Sequence, residues 1–138
     1  MSIRELKSIE DIETIYHLDI GSVTMFKNYL VTEFKEGVLL DAQNYEYLAS
    51  LIKDHFNHLD TFGYISNRLN AYAVVPTALM NTEPFNIPNA KVAIVSYNET
   101  SKKSSIFESK FYPFEPRIFD NLPTAVEWVT SRSSSPVY

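Results

Sequence analysis

The run Lys91-Val-Ala-Ile-Val-Ser-Tyr97 constrains the fold more than any other stretch of this chain. A strand with one wet face alternates apolar and polar residues, whereas this one is near-continuously aliphatic and suits a strand covered on both faces. Helical segments to cover it lie on either side in the sequence. After Asp41, a good N-cap, Tyr45, Leu48, Ala49, Ile52 and Phe56 recur at helical spacing, with Glu46, Ser50, Lys53 and Asp54 between them. The spacing predicts another helix over residues 101–112, with Ile106, Phe107, Lys110 and Phe111 as a weaker stripe and Pro113 as its stop. A last helix follows Asn121, with Leu122, Ala125, Val126 and Val129 on one face.

The remaining strands set the topology. Residues 14–18, 23–26 and 29–34 are β-rich and are punctuated by Asp19-Ile20-Gly21 and Lys27-Asn28, which reads as an antiparallel meander. Val38-Leu39-Leu40 either extends it or leads into the first long helix. An apolar strand is expected over 62–69, then a loop and a short helix over 76–80 opened by Pro76, and a short strand over 117–119. Strands thus alternate with helices through the second half. By the right-handed crossover rule, this order predicts an α/β domain whose sheet is largely parallel with an antiparallel beginning. The 138 residues fit one domain over 1–130, with a polar tail over 131–138 expected to be frayed.

Composition narrows the function classes. Three glycines leave no G-x-G-x-x-G or P-loop to cradle a phosphate, and a net charge of -5 disfavours nucleic acid and anionic membranes. The chain has no cysteine, hence no thiolate nucleophile, and no apolar run approaches the ~20 residues of a membrane span. The default expectation is a cytoplasmic protein without a cofactor. Aromatic residues make up 14% of the chain, and Phe107, Phe111, Tyr112, Phe114 and Phe119 crowd a short span. Most of these rings are expected in the core, and some at a pocket or a subunit contact.

The order of elements, together with Tyr64-Ile-Ser-Asn-Arg-Leu-Asn-Ala-Tyr72 ahead of a Pro-initiated helix and the closing Phe119-Asp-Asn-Leu-Pro-Thr-Ala-Val-Glu-Trp128, resembles the SpoIIAA-like proteins, relatives of STAS domains (sulfate transporter and anti-sigma-factor antagonist). The similarity spans residues 12–129 and rests on fold-determining positions. It implies a mixed, largely parallel sheet with helices mainly on one face, used variously as a phosphorylatable switch, a transporter appendage or a lipid-pocket relative. STAS switches carry a serine, usually in an Asp-Ser pair, where the central strand gives way to the next helix. Here that stretch is Asn70-Ala-Tyr-Ala-Val-Val-Pro-Thr77, in which Thr77 is the only serine or threonine. A threonine at a helix N-terminus is ordinarily structural, so a phosphorylation switch is not expected.

The crevice at the carboxyl ends of the strands is the usual ligand site of an open α/β sheet. Asn67, Arg68, Asn70, Tyr72, Tyr97 and Asn98 are expected near that edge. Arg68 could hold a carboxylate or phosphate through its planar fork, with the tyrosines supplying apolar faces and polar tips. The competing reading pairs Arg68 with a carboxylate of the chain itself and gives Asn67 and Asn70 to loop backbone groups. His55 and His58 stand three apart with Asp54 and Asp60 nearby, but basic residues at a helix C-terminus are favoured by the dipole alone, and no metal site is expected. Ser101, Ser104 and Ser105 beside Lys102-Lys103 are ordinary helix-start residues.

Neither a G-x-S-x-G elbow nor spaced acid/base carboxylates accompany these residues, so an enzyme is not expected. The first expectation is a non-enzymatic, STAS-like binding or regulatory module that acts through protein–protein contacts, as a homodimer or with a protein partner. The alternative is a carrier of a small apolar or acidic ligand in a crevice bounded by Tyr64, Tyr72 and Tyr97.

Overall fold

The computed structural model describes residues 1–7, 11–59, 61–75, 91–110 and 115–131. The expected helix over 76–80, Thr77, Asp60, the rings of Phe111, Tyr112 and Phe114, the stop at Pro113 and the tail beyond residue 131 lie outside them. The elements run α1 (Ile3–Leu6), β1 (Thr14–Leu18), β2 (Gly21–Met25), β3 (Tyr29–Phe34), β4 (Leu39–Leu40), α2 (Ala42–Phe56), β5 (Gly63–Arg68), β6 (Ala73–Val74), β7 (Lys91–Ser96), α3 (Glu99–Ser109), β8 (Arg117–Phe119) and α4 (Leu122–Thr130).

Six strands form one sheet in the order β1-β2-β3-β5-β7-β8. The pairs β1/β2 and β2/β3 are antiparallel, and β3/β5, β5/β7 and β7/β8 are parallel, so the sheet is mixed with its antiparallel part at the N-terminal edge. Val38-Leu39-Leu40 does not extend the meander. Leu39 and Leu40 pair in parallel with Ala73 and Val74, a two-stranded ribbon of their own.

The alternation of β5 and β7 divides the core. Tyr64, Val92 and Ile94 join the α2 residues Tyr45, Leu48, Ile52 and Phe56 on one side. Ile65, Ala93 and Val95 meet Leu122, Ala125, Val126 and Val129 of α4, and Ile3 of α1, on the other. Helices mainly on one face, as the resemblance implied, is therefore corrected. α2 and α3 cover the first face and α4 and α1 the second, because an aliphatic β7 leaves apolar side chains on both sides to be covered.

Close approach explains Gly63. A Cβ there would sit 2.8 Å from the Cβ of Val129 and 3.1 Å from that of Tyr29, so only glycine lets α4 lie this close to β5. Gly21 opens β2 at a φ of +143, and its Cβ would stand 2.3 Å from the Glu33 carbonyl oxygen. The strand begins there, two residues before the expected Val23.

Side-chain caps start the helices. Asp41, Asn98 and Asn121 each accept from the backbone N–H three residues on, at 3.0, 2.8 and 2.9 Å. α1 was not expected. Ser2 and Glu5 close it in a reciprocal capping box, and it buries one side chain, Ile3.

Two core positions give predictions. Among the described residues, the fully buried Thr24 hydroxyl has no hydrogen-bond partner. Thr24→Val keeps the shape and removes that desolvation cost, so the urea midpoint should rise, by up to about 1–2 kcal/mol of stability; a fall would reveal a partner for the hydroxyl.

The buried Tyr29 phenol, stacked on Phe26 at 4.4 Å, is pushed up to about 12 by burial, with Asp11 adding to the shift. An unfolded chain ionises this tyrosine near its ordinary value of about 10 and the folded chain near 12, so the stability it confers is complete below pH 10 and is lost as pH rises toward 12. Melting temperatures from pH 9 to 12 should fall less steeply for Tyr29→Phe than for the unmodified chain.

Candidate functional site

β3, β5 and β7 run parallel, so their carboxyl ends share one edge of the sheet, and it is here that the strands turn polar. Successive residues of β5 point to opposite faces. Tyr64, Ser66 and Arg68 project toward α2 and α3, while Asn67 projects toward α1 and α4. Four of the six residues expected at one crevice therefore separate onto the two faces of the sheet, Arg68 and Tyr72 on one and Asn67 and Tyr97 on the other, with the backbone of β5 between them.

On the α3 face, Arg68 is 9% exposed and its guanidinium donates to both oxygens of Glu108, at 2.6 Å each. The arrangement is the planar fork-to-carboxylate geometry that arginine favours, made in a site where both side chains are more than nine-tenths buried. Arg68 Nε donates to Ser66 Oγ at 3.1 Å, Ser66 shares a hydrogen bond with the Tyr72 hydroxyl at 2.9 Å, and the guanidinium lies 5.1 Å from the centre of the Tyr72 ring. Burial pushes the Tyr72 phenol up, while Arg68 and the Ser66 hydrogen bond pull the other way. Tyr64, deeper on this face, shares a hydrogen bond with Thr32 Oγ1 at 3.2 Å, and burial pushes its phenol up as well.

The pair also sets how α3 is turned. Glu108 faces inward beside Ser105, whose hydroxyl meets that of Ser96 on β7 at 2.8 Å. Ile106 and Phe107, expected as part of the packed stripe, are instead 47% and 56% exposed. The helix is inverted relative to the ordinary pattern because its buried face must satisfy a cation and a hydroxyl at the ends of β5 and β7.

On the opposite face, the Asn67 amide donates to Glu33 Oε2 at 2.6 Å and to the Met1 carbonyl at 2.9 Å, and its oxygen accepts from the Tyr97 hydroxyl at 2.6 Å. Tyr97 is pushed up to about 12 by burial, with Glu33 adding to the shift. The Glu33 carboxylate also accepts from Ser2 Oγ at 2.7 Å and from the backbone N–H of Ile3 at 2.8 Å. Asn70 donates to the Phe34 carbonyl at 3.1 Å, and Asn98 caps α3, so these two serve the backbone.

Tyr64 and Tyr72 stand on the α2/α3 face and Tyr97 on the other, so the three do not bound one crevice. Glu33 and Glu108, which complete the two networks, are not singled out by the sequence. A glutamate inside the apolar strand Tyr29-Leu-Val-Thr-Glu-Phe34 was the one available signal for Glu33; Glu108, forty residues from Arg68, carried none. His55 Nε2 lies 3.0 Å from Glu13 Oε1 and 3.2 Å from the Phe26 carbonyl oxygen, two acceptors that require a proton on that nitrogen.

Arg68→Ala strands a carboxylate in the core and should cost about 3–5 kcal/mol in urea unfolding, and Glu108→Ala a similar amount. The double replacement Arg68→Met with Glu108→Leu should recover most of that loss, since neither charge is then left alone. A loss below about 1 kcal/mol for Arg68→Ala would mean that water reaches the pair.

No family model matches the chain, and no curated protein and no solved structure matches it.

Proposed function

We propose that this protein is a non-enzymatic, STAS-like binding module that works through protein–protein contacts, and that α3 carries the contact to a second copy. The order of strands, antiparallel at first and parallel after β3, supports the STAS-like reading, and the second helical layer departs from it. The observation that carries the contact is the outward stripe of α3. Glu99, Lys102, Lys103, Ile106, Phe107 and Lys110 are all exposed and recur at helical spacing, on a helix whose inward side is serine and glutamate.

Two copies of that stripe complement one another. An antiparallel pairing about a two-fold axis at the middle of α3 sets Glu99 of one copy against Lys110 of the other and lays the Lys102 and Lys103 stems over Phe107 and Ile106. Lysine over a ring is already present within the chain, where Lys110 Nζ stands 6.0 Å from the centre of Phe107. About a two-fold axis each stripe meets its own copy, three lysines and one glutamate on either side, so the contact rests on Ile106, Phe107 and the two Glu99–Lys110 pairs, against some repulsion among the lysines.

Light scattering at about 100 μM, where a contact with a dissociation constant of ~10 μM is mostly occupied, should give a mass near twice that of the chain. Phe107→Lys, which in that register sets a like charge against Lys102 of the other copy, should return it to one chain mass without lowering the melting temperature. A single chain mass for the unmodified protein at that concentration would refute the self-association.

A further inference from the structure

The polar network on the α1 face is built around a tenant that covalent connection places there. Glu33, Asn67 and Tyr97 sit at the carboxyl ends of β3, β5 and β7, on the face away from α3, and four of their hydrogen bonds go to the first three residues of the chain. One Glu33 oxygen accepts the Ser2 hydroxyl and the other the Ile3 N–H, while Asn67 and Tyr97 reach the Met1 carbonyl at 2.9 and 3.3 Å. The Ile3 side chain, fully buried, fills the apolar floor beside Val31, Ile65 and Val95. Carboxylate, amide and phenol thus read a hydroxyl, a backbone N–H and a carbonyl over an aliphatic socket.

We propose that this constellation is a peptide-binding site for a segment of a partner protein that opens a helical turn with a hydroxyl residue followed by a branched aliphatic one, and that Met1–Leu6 occupies it in cis as an internal competitor. The chemistry is specific. A carboxylate at the start of a helical turn favours free N–H groups, so an extended polar peptide is a poorer guest than one that begins a turn. The competitor is separable from the fold, because α1 is a single turn with one buried side chain, too short to be helical on its own. When it leaves, Asn67, 1% exposed, and the Glu33 carboxylate are left with unmet hydrogen-bonding capacity that an incoming segment of the same pattern restores. The site lies across the sheet from α3, so it stands independently of the self-association proposed above.

The probe is a fluorescein-labelled acetyl-Met-Ser-Ile-Arg-Glu-Leu-amide, followed by anisotropy with the full chain. Ile3→Asp, which expels the internal segment, should bind the probe at least tenfold more tightly than the unmodified chain, and adding Glu33→Gln to Ile3→Asp should reverse that gain. Probe binding no tighter than that of the unmodified chain, with Ile3→Asp folded by circular dichroism, would overturn the proposal. Should Ile3→Asp fail to fold, hydrogen exchange of the unmodified chain decides: an Ile3 amide that exchanges at least a hundredfold faster than the β5 amides supports release, and one that exchanges with them overturns it. A two-chain mass that is lost on Ile3→Asp but kept on Phe107→Lys would show the occupant to be a second copy's own N-terminal segment, and would overturn the partner-protein assignment.

Discussion

The buried pair of Arg68 and Glu108 is the contact on which the polar half of this structure depends. A guanidinium at the end of a central strand, 8% exposed at its side chain, has lost most of its water and must be met by a carboxylate inside the protein. α3 supplies one, and to do so the helix turns Ser105 and Glu108 inward. Its apolar residues then have nowhere to go but outward. The exposed Ile106 and Phe107 are thus a consequence of where a charge was placed on β5, forty residues earlier.

The apolar half follows a different rule. β5 and β7 offer aliphatic side chains to both faces, and α2 and α4 are the helices whose stripes match them. α2 brings its stripe from Tyr45 to Phe56 to the first face and α4 brings Leu122 to Val129 to the second. The absence of a side chain at Gly63 sets the depth to which α4 descends. Hydrophobic burial holds these two helices wherever their stripes fit, since it has no preferred direction, whereas the hydrogen-bonded ion pair fixes the rotation of α3 about its own axis.

Local pattern was enough for β1, β3, β8, α2 and α4, because each is written in its own residues: Asp41 and Asn121 as caps, helical stripes after them, and turn residues between the strands. The order of strand directions followed from the alternation of elements. What lay beyond reach depended on residues far apart. Arg68 and Glu108 are each unremarkable alone, and their spacing carries no periodic signal, so the inversion of α3 could not be read from a helix whose stripe of Ile106 and Phe107 looked merely weak. Asn98 was placed at the crevice by its position after β7, although its residue type suits the N-cap role it takes. α1 is written locally as well, since Ser2-Ile-Arg-Glu5 is the S-x-x-E pattern of a capping box. The division of the candidate residues between two faces was also available, since Asn67 and Arg68 are neighbours in a strand and neighbours in a strand point apart.

That division makes the two sides of the strand ends unequal as places for a ligand. On the α3 side an acidic guest would have to displace Glu108 from a bidentate contact, and the displaced carboxylate would lie in the same dry site beside the guest, two anions facing one cation. Such an exchange is uphill unless α3 itself moves away and carries Glu108 into water. On the α1 side the groups in contact with Glu33 and Asn67 are a hydroxyl, an N–H and a carbonyl of one short turn, and water or another chain can replace each of them without stranding a charge, because Glu33 keeps the Asn67 amide as a donor. One strand therefore ends in a closed charge pair on one face and an exchangeable hydrogen-bonding set on the other, and the chemistry of exchange favours the side that the arginine does not occupy.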